Sequence, residues 1–456
     1  MYNLICELFK LDFVPHDDKT LKEMLNVIGV KSLQELFQDI PNDLIINKLN
    51  LPSGLPEPDL LTQIKKYSCK NKIYSSSFLG AGCYFHYIPS LVDFVTSRSE
   101  FYTSYTPYQA EASQGYLQAI YEYQTIISRL TQMDVANASM YDGSTALAEA
   151  AIMSTIITQK NTVILIKGIH PEYEEVVRTY CWGQNVNVEI TSEDNLKENL
   201  NDKVAAVLFQ NPSFFGDVED VLKLTKIVRE NCPNCLIIQC MTDPTCLGIL
   251  KPPGATDIDI FVAEGQSFGI NPSFGGPGLG IFTAKQKYLR KMPGRLIGKT
   301  KELNGEKEGF ILTLQAREQH IRREKASSNI CTNQALCSLA ALSYLLTIGS
   351  IGLKQVAMQN IQKAHYLKQE LSKIPGYDIL NKKSTYNEFL VKCHDIDTLI
   401  EQCKQRNLLP PLKISKYYPE MRNVALVCVT ELNSKESINE FIKAAHSALN
   451  NKVEGN

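Results

Sequence analysis

Excess charge of either sign is missing from this chain. Its 47 basic and 49 acidic side chains leave a formal charge of −2, which gives no field for recruiting a nucleic acid or an anionic membrane surface. No apolar run reads as long enough to cross a bilayer. The opening stretch MYNLICELFKLDF carries one lysine and two acids, and no small-residue cleavage site follows it, so no secretory signal is expected. Metal and redox frameworks are missing too. Histidine is scarce, at seven residues, and the thirteen cysteines are scattered without the spacing of a disulfide scaffold. A cytoplasmic, reduced protein with no metal is expected. Cys232 and Cys235 do form one CxxC, in NCPNC, but it precedes the strand-like run CLIIQC, whereas a redox pair opens a helix after a strand. Cys240 and Cys246 do not complete a zinc knuckle with it, so these thiols are expected to be structural. Glycine-rich FGGPGLG (274–280) offers no G-x-G-x-x-G register and leads into a strand, so it is read as a tight turn and not as a dinucleotide site.

What is present is an ordinary globular composition, 44% hydrophobic and 21% charged over 456 residues. That is enough to bury a large core and too long for one typical domain. The N-terminal part reads as helical. PHDDKTLKEMLNVIG has acids near its start and a glycine at its end, and SLQELFQDI offers Ser32 with Glu35 as a capping box. NLPSGLPEPDLLTQIKKY is a proline-punctuated link into a further short helix. Next, the short apolar runs 161–168, 204–211, 235–240 and 258–265 alternate with helical stretches. That alternation predicts a mostly parallel sheet covered on both faces, with GLGIFTA (278–284) running back antiparallel. ALCSLAALSYLLTI then predicts a helix ended at Gly349, followed by a helix over about 352–374 and a smaller α+β region. The expected division is a helical docking segment over 1–69, a large α/β domain over 70–325 and a small domain over 326–456.

Several places carry candidate chemistry. SMYDGSTALAEAAIM (139–153) opens a helix at which Asp142, Gly143, Ser144 and Thr145 offer backbone N–H groups and hydroxyls. Such a start either cradles a phosphate at the positive end of the helix dipole or is a plain N-cap. His170 ends one strand and Asp243 leaves another, on the carboxyl edge where parallel sheets bind ligands. His170 either overlooks a ligand or is structural; Asp243 either pairs with a ring nitrogen or begins the turn with Pro244. The segment FYTSYTPYQAEASQG (101–115) crowds Tyr102, Tyr105, Thr106, Tyr108, Gln109 and Glu111 around Pro107. Tyrosine joins apolar area to a hydrogen-bonding tip, which suits a ligand site or an interface, or else a loop that covers the core. The last place is defined by an omission. After the strand IDIFVAEG, the loop Glu264, Gly265, Gln266, Ser267 stands where many cofactor enzymes carry a reactive lysine, and the next lysine downstream is Lys285.

FLGAGCYFHYIP, SRSEFYTSYTPYQAEASQG, MDVANASMYDGSTALAEAA, HPEYEEVV and LQAREQHIRREKASSNICTNQ together resemble one family over about residues 14 to 450. It is the first subunit of the two-subunit glycine dehydrogenase (decarboxylating), the P protein of the glycine cleavage system. The family usually begins close to FVPHDDKTLKEML, so the first dozen residues are an extension or a misplaced start. The resemblance implies the aspartate-aminotransferase-like, type I pyridoxal-phosphate (PLP) transferase fold: a large α/β domain, a smaller α+β C-terminal domain, and active sites between two subunits. It implies that the PLP lysine belongs to the second subunit and that Gln266 stands where that lysine would be. The complex would decarboxylate glycine on the cofactor and pass the aminomethyl group to the lipoyl arm of the H protein. Physical chemistry agrees about Gln266: a carboxamide nitrogen is delocalised into its carbonyl and cannot hold an aldehyde covalently, as a lysine of lowered pKa does. Gly143, Ser144, His170 and Asp243 are then expected to form a vestigial, packed pocket. Tyr102, Tyr105, Thr106, Tyr108, Gln109 and Glu111 are expected to reach toward the partner's cofactor or substrate, with Cys83, Tyr84 and His86 as a second tier. Arg322 and Arg323 suit a carboxylate or phosphate, a hold on the partner, or plain solvated charge. The competing readings are a scaffold or regulatory protein derived from a PLP enzyme, and a self-sufficient enzyme using Lys167 or Lys285.

Overall fold

The computed structural model describes residues 17–46, 49–302, 305 and 307–450; the N-terminal extension expected above lies outside them. The chain divides into two compact units, 1–73 and 74–456. In the first, helix α1 (Asp18–Ile28) is capped by Asp17, whose side chain accepts from Thr20 N, and stops at Gly29 in the left-handed region (φ 86°). The expected capping box at Ser32 does not form. Leu33–Phe37 is a 3₁₀ turn without a side-chain cap, and Glu35 instead reaches back to Lys31 N (3.2 Å) and Ser32 Oγ (3.4 Å). The run is too short before Pro41 to nucleate an α-helix. Helix α2 (Glu57–Ser68) follows Pro56 and leaves Leu60, Leu61 and Ile64 exposed.

The second unit is built on a seven-stranded sheet. Its strands are β1 (Val135–Ala136), β2 (Thr162–Ile166), β3 (Asn187–Thr191), β4 (Val204–Gln210), β5 (Leu236–Met241), β6 (Ile260–Glu264) and β7 (Gly280–Ala284). The spatial order is β1-β7-β6-β5-β4-β2-β3. All pairs from β6 to β3 are parallel, and β7 runs antiparallel to both β6 and β1. β2, β4, β5 and β6 are buried at every residue, as their unbroken apolar runs require of parallel strands covered on both faces. Helices α5 (Gly143–Thr158) and α6 (Pro171–Gly183) pack on one face, where α5 buries Ala146 through Ser154. On the other face lie α3 (Ser90–Thr96), α4 (Gln114–Thr131), α7 (Val221–Asn231) and the start of α8 (Ala335–Leu371). A hairpin of β8 (Leu296–Lys301) and β9 (Glu308–Thr313) sits against α4. A four-stranded antiparallel sheet follows, β10 (Asp378–Ile379), β11 (Glu388–Lys392), β12 (Leu412–Lys413) and β13 (Val424–Cys428), with α9 (Ile396–Gln405) and α10 (Lys435–Asn450).

One expectation needs adjustment here. Helix α8 is, by length and composition, apolar enough to cross a membrane, contrary to the sequence reading. Its Cys337–Leu345 stretch is instead buried in the core, which accounts for the apolar character. Gly349, with φ 59° and ψ −174°, breaks α8 at the expected place. Cys232 and Cys235 are free and buried, and Cys235 N donates to Cys232 O (3.0 Å) in the turn before β5.

Candidate functional site

The carboxyl ends of β4, β5 and β6 bring together Gln210, Asp243 and the Glu264–Gln266 loop, with the N-termini of α5 and α6 beside them. At α5 the first-turn N–H groups of Gly143 and Thr145 are already taken. Asp142 Oδ1 accepts from Thr145 N (2.8 Å) and Ser144 Oγ (2.5 Å), and Thr145 Oγ1 accepts from Asp142 N (3.3 Å), a complete capping box. Gly143 N donates to Glu264 Oε2 (2.9 Å), and Glu264 Oε1 also accepts from Gln266 N (3.0 Å) and Leu279 N (2.8 Å). Position 143 is glycine because an added Cβ would lie 2.9 Å from Glu264 N. Burial raises the Glu264 pKa, offset in part by these backbone donors. Of the two readings left open for this helix start, the geometry favours the plain N-cap: two protein carboxylates hold the N–H groups of Gly143 and Thr145.

A segment of the chain's own backbone, residues 81–87, fills the rest of this edge. Gln266 locks onto Tyr84 at both ends of its amide, accepting from Tyr84 N (2.9 Å) and donating to Tyr84 O (3.0 Å). Tyr84 OH donates to Glu388 Oε2 (2.8 Å) and meets Thr242 Oγ1 (3.0 Å). Ala81 N donates to Glu388 Oε1 (2.6 Å). His170, the N-cap of α6, accepts at Nδ1 from Glu172 N (3.2 Å), so its Nε2 carries the proton it gives to Ala81 O (2.9 Å). Burial depresses the His170 pKa, which keeps the ring neutral. Burial pushes Glu388 up to about 7.

His86 spans two buried carboxylates, with Nε2 3.1 Å from Asp243 and Nδ1 2.8 Å from Glu431. Burial alone would lower its pKa, but Asp243 and then Glu431 outweigh it and raise it to about 10, making the ring an imidazolium. Asp243 does meet a ring nitrogen, but that nitrogen belongs to His86. Its carboxylate is filled by His86, Asn387 Nδ2 (2.6 Å) and the Thr245 hydroxyl (2.6 Å). Gly143, Ser144, His170, Asp243, Gln266, Tyr84 and His86 are therefore each hydrogen-bonded to other groups of the chain at this edge, while the Ser267 hydroxyl beside them is buried without a partner among the described residues. Cys83 is exposed.

The tyrosine segment belongs to a second set. Tyr102, Tyr105 and Tyr108 are 67%, 78% and 52% exposed, and Gln109 and Glu111 are exposed as well. Only Thr106 and Tyr108 of that group are anchored from below, by Arg295. Its Nη1 donates to Thr106 Oγ1 (3.1 Å) and Thr332 Oγ1 (3.2 Å), its Nη2 donates to Tyr108 OH (2.6 Å), and the Tyr108 ring lies 4.9 Å from the guanidinium. Phe85, Tyr87, Leu91 and Phe94 are further exposed apolar side chains. Arg322 and Arg323 are exposed. Lys167 is exposed, and Lys285 is ion-paired with Asp257 (2.7 Å) and Asp259 (3.2 Å), beyond the amino end of β6 and away from the Glu264 edge.

Sequence reasoning missed Glu388, Asn387, Glu431 and Arg295. Glu388 and Arg295 left a signal: each is a charge leading directly into an apolar run, in NEFLVKC and GRLIG, where a buried charge must have a purpose. Asn387 and Glu431 left none, since their roles depend on a contact across more than 140 residues of chain.

Residues 12–445 match the family described as glycine cleavage system P-protein. A relative from Desulforamulus reducens, described as probable glycine dehydrogenase (decarboxylating) subunit 1, is 46% identical over 450 residues, covering 96% of this chain and 100% of its own length. A crystal structure of glycine decarboxylase (P-protein) of the glycine cleavage system, in inhibitor-bound form, superposes with a TM-score of 0.86 at 37% identity, over 95% of this chain and 99% of that one. A C-DES mutant with glycine covalently linked to its PLP cofactor matches at a TM-score of 0.59 and 14% identity, over 86% of this chain and 99% of that one, a likeness of fold alone. The architecture is that of the type I PLP-dependent enzymes.

Proposed function

The chain belongs to the glycine cleavage system P-protein family, and from that premise we propose that it is the subunit without the reactive amine, completing the active site of a lysine-bearing partner. Its relatives are first subunits of glycine dehydrogenase (decarboxylating), so a second subunit belongs to the enzyme. The observation that carries the proposal is Gln266. The residue at the lysine position has no nucleophilic nitrogen, and its amide is locked onto the Tyr84 backbone.

PLP does not fit this chain's own pocket. The N–H groups of Gly143 and Thr145 are held by Glu264 and Asp142, Asp243 is filled by His86 and Asn387, and Tyr84 lies against Gln266. An added phosphate dianion would meet two carboxylates. The cofactor, which supplies an electron sink for the bond to the glycine carboxylate, is therefore assigned to the partner. The complex decarboxylates glycine and hands the aminomethyl group to the lipoyl arm of the H protein. In this reading Tyr102, Tyr105, Thr106, Tyr108, Gln109 and Glu111 face the partner's cofactor or substrate. Their part is to bind and orient substrate and to exclude water. Arg322 and Arg323 are assigned to contact with the partner. The setting is the cytoplasm of a bacterial cell, with no membrane or nucleic acid partner.

The test is reconstitution. The isolated chain should take up no PLP as a coloured adduct, and mixing it with the lysine-bearing subunit should yield glycine-dependent exchange of carbon dioxide. Exchange by the partner alone would sink the proposal. A pure scaffold would instead leave turnover unchanged in Tyr105→Phe and Glu111→Gln.

A further inference from the structure

Arg295 sits just before β8 and is only 3% exposed. Its described partners are three hydroxyls, those of Thr106, Thr332 and Tyr108. That is an unusual way to bury a guanidinium, which ordinarily pairs with a carboxylate. Arg229 in this chain does so, bonding Asp257 (2.7 Å) and Asp259 (2.6 Å). The proton inventory sharpens the contrast. A guanidinium carries five N–H donors and no acceptor, so every hydroxyl that meets it must accept and keep its own proton to give elsewhere. Thr106 and Thr332 lie 3.3 Å apart, which uses one of those three protons. The other threonine proton and the Tyr108 proton have no acceptor among the described hydrogen bonds. Arg295 Nε–H is buried without a partner. The cluster is a convergence of donors around a fixed positive charge, and it lies under the exposed Tyr102–Tyr108 segment.

We propose that Arg295, Thr106, Tyr108 and Thr332 form a seat for an oxyanion carried by a small molecule in the assembled enzyme, either the substrate carboxylate or the cofactor phosphate. The inference rests on the reading that this chain walls its partner's site. An oxyanion is an acceptor with several lone pairs and the compensating charge, so it satisfies every surplus donor at once. Tyr108 is half-exposed and its ring stacks on the guanidinium, so it forms the outer lip through which the anion reaches the buried donors. Thr106 and Thr332 both accept from Nη1 and so set the orientation of the fork.

The experiment uses the reconstituted two-subunit complex with Arg295→Gln, Arg295→Lys and Thr332→Val. It reads the PLP dissociation constant, KM and kcat for glycine, and assembly by sedimentation. Arg295→Gln should weaken one binding parameter by about 10- to 100-fold in an assembled complex. KM for glycine rises if the carboxylate is seated, and the PLP constant rises if the phosphate is seated. Arg295→Lys should recover part of the loss. Thr332→Val, which keeps the charge and the tyrosine stack, should show a smaller loss in the same parameter and decides the matter if Arg295→Gln fails to assemble. An assembled variant with both parameters within twofold of wild type overturns the seat, as does a loss confined to kcat. An inactive wild-type mixture would instead defeat the two-subunit reading. The seat is then judged by titrating the isolated chain with inorganic phosphate: no Arg295-dependent rise in thermal midpoint overturns it.

Discussion

At the carboxyl edge of the large sheet polar groups close on one another, whereas around Arg295 the donors exceed the acceptors among the described residues. Both regions are rich in hydroxyls, amides and charge. At the edge each charge has its counterpart: His86 lies between Asp243 and Glu431, Glu264 receives three backbone N–H groups, and Gln266 is matched at both ends by Tyr84. Around Arg295 donors outnumber acceptors, and the side chains above it are in solvent. On the function and the seat proposed above, the first is a pocket converted into core and the second a surface completed by a ligand. Buried polar groups must find partners or cost free energy. A network that finds all of them internally has no chemistry left to offer, and one that does not is a request for a ligand.

The strongest attempt to break that comparison is to give the closed pocket its missing amine. Gln266→Lys in the isolated chain should not create a PLP site, because the segment 81–87 and the two carboxylates at α5 still fill it. It should lower stability by roughly 3 kcal/mol or more, since Tyr84 N loses its acceptor and an ammonium replaces a paired amide. Absorbance titration with PLP and thermal unfolding read the two outcomes. A coloured adduct mapped to the substituted position of the Gln266→Lys variant would mean that the pocket is open after all.

The next effect is smaller and has a sign fixed by pH. His86 has a folded pKa of about 10 against an ordinary 6.5, so its contribution is fully present below 6.5 and is lost as pH rises through 10. The thermal midpoint of the isolated chain should therefore fall between those limits. His86→Gln should flatten that dependence and cost about 3 kcal/mol near neutrality, because two buried carboxylates lose their common partner. An unchanged slope in the variant would show that some other group closes the pocket.

Much of the frame was legible beforehand, and for physical reasons. Continuous apolar runs in β2, β4, β5 and β6 leave no alternative to buried parallel strands, and Gly349 marks its own break in α8. Gln266 could be singled out because the consequence drawn from it lies in one functional group, and that consequence belongs to the function proposed above. The phosphate cradle was left open because a helix start looks the same whether a ligand or a carboxylate caps it, and Glu264 reaches Gly143 across 121 residues of chain. The apolar length of α8 was underestimated, since its start at 335–348 and the helix after Gly349 were read as two separate pieces. The local signal at Arg295, a charge leading into the apolar run of GRLIG, says only that it is buried; its partners, all hydroxyl, are Thr106, Tyr108 and Thr332, which lie far off in the chain.

The mildest change in stability tests the open side of the comparison. Tyr105 is 78% exposed, so Tyr105→Ser should leave the isolated chain's thermal stability within about 0.5 kcal/mol of wild type. An exposed aromatic costs a lone fold nothing to lose, yet tyrosines buried at an interface are among the residues that most often dominate binding. In the assembled enzyme the same substitution should reduce association with the second subunit, or glycine-dependent exchange, by about tenfold. The informative quantity is the ratio of the two effects. If Tyr105→Ser unfolds the chain, the segment is a cover over the core. If it changes neither fold nor complex, the exposed face lies elsewhere on the molecule, with Phe85, Tyr87 and Phe94 the next to be tried.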